Sequence, residues 1–147
     1  MKTTIRNIAA VIIGLLIGIA VNMLIILMGP TIIPPPDGVD VTTTEGLQTS
    51  MHLLGPEHYI MPFLAHALGT FVGALLAAAI AVTHRFKIAL GIGLIFLIGG
   101  FYMVLMLPSP VWFSVLDLFV AYIPMAYWAG KIIDNRTDSG NSIGAVL

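Results

Sequence analysis

Four runs of this chain, roughly residues 8–28, 59–82, 88–107 and 111–132, are apolar over a length that decides the fold class. Each can cross a hydrocarbon layer about 30 Å thick, which takes about 20 helical residues. The 147 residues carry only thirteen charged side chains, 9% of the total, while 59% are apolar and the mean hydropathy is +1.03. Thirteen charges cannot cover the surface of a water-soluble domain of this size. A net charge of −1 excludes a nucleic-acid binder, and the apolar content excludes a disordered chain. With no cysteine there is no disulfide framework, no thiolate metal site and no Cys nucleophile. The expected fold is all-α: a polytopic, antiparallel four-helix transmembrane bundle. Residues 1–133 form one membrane domain, and residues 134–147 form a mobile cytoplasmic tail. The first run is too long for the apolar region of a signal peptide, and Met28-Gly29-Pro30 is no small-x-small cleavage site, so it reads as a retained helix.

All six basic residues fall on one side of this map. Lys2 and Arg6 precede the first span, Arg85 and Lys87 sit in the second connection, and Lys131 and Arg136 close the fourth. The positive-inside rule then puts both termini in the cytoplasm, with the loop 29–58 and the Pro108-Ser109-Pro110 turn outside. Tyr59, Phe63, Trp112 and Phe113 fit an outer aromatic belt, and Phe86, Tyr127 and Trp128 an inner one. In the outer loop Pro34, Pro35 and Pro36 favour an extended segment. Thr42 and Glu45 then have capping-box spacing, and Leu47, Met51 and Leu54 share a helical face. A short amphipathic helix over about 43–54 is expected there. Ser109 is expected to cap the fourth span, with Pro110 at its first position, and Pro124 to kink it.

Between apolar helices in an apolar solvent, close backbone approach decides packing. The second span carries Ala65, Gly69, Gly73, Ala77 and Ala81 at four-residue intervals. The first carries Ala10, Gly14 and Gly18, a row that continues to Asn22. These rows predict tight helix contacts within the chain or with a second copy.

Asp117 alone among the charged residues lies in the body of a span, where an aspartate costs about 2.5–3.5 kcal/mol unless it faces the bundle and finds a partner. Counting 1.5 Å per residue puts Asp117 roughly 10 Å below the outer end of its helix, His66 about 11 Å, Asn22 about 9 Å and Tyr102 about 8 Å. One polar layer is therefore expected from four helices, with Thr70 and Ser114 within a turn of it. That layer reads as a structural network, as a proton-linked pair of Asp117 and His66 at the mouth of a substrate or ion path, or as part of a membrane enzyme or metal site open to the outside. His52, Glu57 and His58 are ligand types, but no HxxxH or HExxH pair accompanies them, and no metal or cofactor is expected. No phosphate loop, GxSxG or paired carboxylate is present, so no catalytic residue is assigned.

The segments PPPDGVD, SMHLLGPEH, PFLAHALGTFVGALLAA, MLPSPVWF and LDLFVAYIPMA, spread over Pro34 to Lys131 and covering about two-thirds of the chain, carry a resemblance. They resemble a family of small, uncharacterised four-helix integral membrane proteins of bacteria. The resemblance implies a bacterial inner-membrane setting and no assigned activity. The expected function is a non-enzymatic scaffold or accessory subunit whose partners are the lipid bilayer and either a second copy or another membrane protein. The alternative is a small oligomeric proton- or ion-linked transporter using Asp117 and His66.

Overall fold

The computed structural model describes residues 2–144, with side chains as far as Arg136. Six α-helices follow one another, and no strand occurs among the described residues: α1 (Lys2–Ile32), α2 (Thr44–Ser50), α3 (Ile60–Ile80), α4 (Arg85–Met106), α5 (Val111–Val120) and α6 (Ile123–Gly144). Single 3₁₀ turns at Met51–Leu53 and Pro56–Tyr59 join α2 to α3. Four segments are long and apolar enough to cross a membrane: α1, Pro56–Ile80, α4, and α5 with α6 as far as Arg136. α1 overruns the expected 8–28 at both ends. α6 continues to Gly144, into the stretch read from sequence as a tail. Residues 145–147 lie outside the described residues.

The fourth segment is interrupted rather than merely bent. Pro124 has no N–H, and its ring clashes with the carbonyl four residues back, on Val120. α5 accordingly ends there, and the helix restarts with Pro124 in the first turn of α6, where a missing N–H costs nothing. The Ala121 N–H closes α5 on the Asp117 carbonyl at 2.9 Å, and the Tyr122 carbonyl opens α6 by accepting from Ala126 at 3.0 Å. The break turns Ala121 and Tyr122 inward, and both are buried.

α3 packs against α1, α4 and α6. Its contact with α1 follows the two small-residue rows. Gly14 lies against Gly73 and Ala77, Gly18 against Gly69, and Gly29 against Met61, so residue number rises on one helix as it falls on the other. A Cβ added at Gly14 would stand 2.6 Å from the Gly73 carbonyl, and one at Gly73 would stand 2.8 Å from the Gly14 carbonyl. The backbones touch. Ala65, Gly69, Gly73 and Ala77 are all buried, as are Ala10, Gly14 and Gly18. Much of the opposite face of α1 is exposed, including Ile12, Leu16, Leu24 and Leu27, while Val11 and Leu15 pack against the core. Behind α3, a core of Ala74, Ala77, Ala78, Ala89, Ile92, Ala126 and Ala129 joins α4 and α6.

The ends of α3 are tied by side chains that satisfy backbone groups no helix can satisfy for itself. Asn7 accepts from the Val82 N–H at 3.0 Å and donates to the Thr83 hydroxyl at 2.9 Å. Arg6 donates to the Ile80 carbonyl and Arg85 to the Ala81 carbonyl, placing two cations at a helix C-terminus, where the dipole favours them. Lys131 lies 5.9 Å from the centroids of both the Phe86 and Tyr127 rings at the same end.

At the opposite end, the 29–58 connection folds over the helices. Met51, Tyr59 and Phe113 form a small core flanked by Leu47, Leu54, Phe63 and Leu107. Gln48 donates to the Met106 carbonyl, an otherwise orphan acceptor at the end of α4. Two expected caps shift by one residue. The α2 N-cap is Thr43, whose hydroxyl accepts from the Gly46 N–H while donating to Asp40. Pro110 takes the α5 N-cap position, so Ser109 supplies no capping bond. α2 covers 44–50, and the rest of the expected 43–54 helix tightens into 3₁₀ turns ahead of Gly55-Pro56. The Thr42 and Thr43 hydroxyls and the Thr42 N–H hold the exposed Asp40 carboxyl at about 2, below its ordinary 3.8.

Gly14→Leu should destabilise the fold by about 1–3 kcal/mol in a denaturant titration, because the α1–α3 seam has no room for a side chain. Gly91→Ala and Gly99→Ala, where an added Cβ meets nothing within 4 Å, should stay within about 0.5 kcal/mol. Asp40 has a depressed pKa, so its contribution to loop order is present above pH 3.8 and is lost as pH falls through about 2. Thr42→Val should move the carboxyl midpoint, followed by NMR, back toward 3.8.

Candidate functional site

Asp117 sits in the last turn of α5 with 2% of its surface exposed. A carboxylate so placed must be met by donors. His66, in the second turn of α3, brings Nδ1 to 2.9 Å from both carboxylate oxygens. The Tyr122 hydroxyl donates to Oδ2 at 2.8 Å. The two donors also meet each other, with the His66 and Tyr122 rings stacked at a centroid distance of 5.8 Å and 28° between planes. A methyl group at Gly100 would overlap the Tyr122 hydroxyl, so this glycine makes room for the phenol.

The expected polar layer is therefore assembled in part. His66 and Asp117 are in contact. Tyr102 is not with them: it is 58% exposed on the far side of α4. Gly93 and Gly100 mark the packed face of α4, and two residues beyond Gly100 is about 200° around a helix. Tyr122 takes the place expected of Tyr102. Five residues past Asp117 in an unbroken helix it would point elsewhere, and the Pro124 interruption brings it back. That proline two positions on was the available signal. Ser114 is buried, but its hydroxyl bonds back to the Pro110 carbonyl at 3.3 Å. Thr70 is fully buried, and its hydroxyl oxygen finds no partner. Asn22 lies against Gly69 through its Cβ, and its carbonyl oxygen is buried without a donor.

A cavity of about 380 Å³ reaches this cluster. It runs from beneath Leu47, Met51 and Leu54 of the connection, between Met23 and Ile26 of α1 and Met103 and Val104 of α4, to Asn22, His66 and Asp117. Its wall is mostly apolar, includes no Lys or Arg, and has Asp117 as its one acid. Such a shape, apolar with a few convergent polar groups, is that of a small-molecule site. Above it, His58 pins the connection: Nε2 lies 3.1 Å from the Pro34 carbonyl and Nδ1 3.2 Å from the Gly55 carbonyl. No sequence motif marked His58 for this role.

The chemistry follows from the tautomer. Nδ1–H donates to Asp117, so in the neutral ring Nε2 is an acceptor. No described residue bonds to Nε2, and 21% of the His66 side chain is exposed. The pair can hold a proton, and the carboxylate fixes the orientation of the imidazole that receives it. Among the described residues no three His, Asp or Glu side chains converge as metal ligands would. No family model, curated protein or solved structure matches the chain.

Tyr122→Phe should cost about 1–3 kcal/mol in a denaturant titration, since it strips a donor from a buried carboxylate. Tyr102→Phe should change stability by less than about 0.5 kcal/mol.

Proposed function

We propose that the four apolar segments form an antiparallel transmembrane bundle with both termini cytoplasmic, and that the protein is a small proton-linked transporter. The cavity carries this reading. A scaffold acting through helix packing needs no space beside its buried carboxylate, whereas a carrier needs a path to the group that exchanges the proton. The gathering of Arg6, Arg85 and Lys131 at one end supports the orientation. A bacterial inner membrane follows from the resemblance of the Pro34 to Lys131 segments. The cavity lies toward the 29–58 connection, and the alanine core of α3, α4 and α6 stands beyond Asp117. The conformation is thus an outward-facing one, and the α5–α6 interruption supplies a hinge for the inward-facing one. Release of a proton from Asp117–His66 and entry of substrate are then linked events at one site.

The absence of cysteine makes the test direct. Val104→Cys should react with a membrane-impermeant maleimide applied from the outer side at least about tenfold faster than Ile98→Cys, which is exposed on the surface of α4. Equal, slow reaction at both positions would mean a dry cavity and would overturn the transporter reading.

A further inference from the structure

The polar end of the cavity has a definite sign. We infer that it selects a protonated alkylamine, a primary ammonium on a compact apolar body, and exchanges it for a proton. This inference rests on the cavity being a substrate site.

Three observations converge on that class. The first is charge: Asp117 is the one ionisable acid on the wall, no Lys or Arg lines it, and its other histidine, His58, is turned to the Pro34 and Gly55 carbonyls of the connection. His66 and Tyr122 give the carboxylate hydrogen bonds, yet with a neutral imidazole they leave its charge in place. Once the pair has given up its proton, the uncompensated negative charge, in a site of low dielectric, favours a cation and disfavours an anion by far more than it would in water. The second is hydrogen bonding. Nε2 of His66 is an acceptor without a partner, on a side chain that is 21% exposed. A ligand that meets it must donate. A primary ammonium carries three N–H donors, and the site presents His66 Nε2 and the Asp117 carboxylate, while the Asn22 carbonyl oxygen is sealed from it. An alcohol donates one, and a carboxylate none. The third is the wall. Met23, Met61 and Met103 are unbranched, polarizable side chains that adapt to an apolar body without specifying its shape.

The proton balance is simple. In the unloaded state the Asp117–His66 pair holds one proton and is neutral. When the ammonium enters, that proton leaves to water and the cation takes its place, so the buried charge stays at zero in both states. No covalent bond forms or breaks. A second cation cannot enter while the first is bound, and an occupied site cannot take the proton back, which is the condition for coupled exchange.

The test uses the full chain in lipid nanodiscs, with protein-free nanodiscs as the blank. Calorimetric titrations with n-hexylammonium, n-hexanol and hexanoate compare one apolar body with three head groups. Hexylammonium should bind at least about tenfold tighter than hexanol, hexanoate should not bind, and titrations in buffers of different ionisation enthalpy should show proton release on binding. Asp117→Asn should abolish the preference for the cation. Hexylammonium should also protect Val104→Cys from maleimide. Hexanol binding as tightly as hexylammonium, or binding without proton release, would overturn the assignment. A reactive Val104→Cys that hexylammonium fails to protect would overturn the amine while leaving the cavity as a site. An unreactive Val104→Cys would bring down the cavity reading itself.

Discussion

A carboxylate removed from water cannot be left alone, and the arrangement of α3, α5 and α6 answers to that requirement around Asp117. An ionised group in an apolar interior costs many kcal/mol until donors replace its lost water. His66 comes from α3 and Tyr122 from the link between α5 and α6, so the pairing fixes the rotation of α3 and the position of the interruption together. Gly100 on α4 belongs to the same arrangement, since any side chain there would displace the phenol. Four parts of the chain are thus positioned relative to one acidic side chain.

The α1–α3 seam works on a different principle. Apolar side chains gain little by leaving lipid for protein, so attraction between these helices comes from backbone surfaces brought into contact. Glycines at 14, 18, 69 and 73 remove the obstacles, and hydrogen bonds from Arg6 and Asn7 secure one end. Asn22 continues the glycine row and so reaches the cavity. The same row that holds the helix sets the depth of an unsatisfied acceptor. Packing and site are one geometric decision on α1, whereas on α4 they are two: Gly93 and Gly100 pack inward while Tyr102 faces away.

Much of this was legible because it is one-dimensional. Spans follow from the length of apolar runs, and the seam follows from a four-residue period visible in Ala65, Gly69, Gly73 and Ala77. The His66–Asp117 contact was legible for a similar reason, since rise per residue gives depth. Depth carries no angle, however, and Tyr102 shows the consequence: right level, wrong side. Tyr122 was hidden by the opposite error, because an unbroken helix would point it away and the effect of Pro124 is to cancel that. The caps were displaced by a neighbour of equal capability, Thr43 for Thr42, or by a proline that takes the capping position itself, Pro110 for Ser109. The cavity had no sequence signal at all. It is a space left between Met23, Met103 and the folded connection, and a void is set by where side chains stop.

The order of residues along the chain bears on how the acid is satisfied. Asn22 and His66 come before Asp117 in the sequence, and Tyr122 follows it by only five residues. One donor to the carboxylate is thus encoded ahead of it and the other directly behind it, so its hydrogen bonds close without calling on any more distant segment.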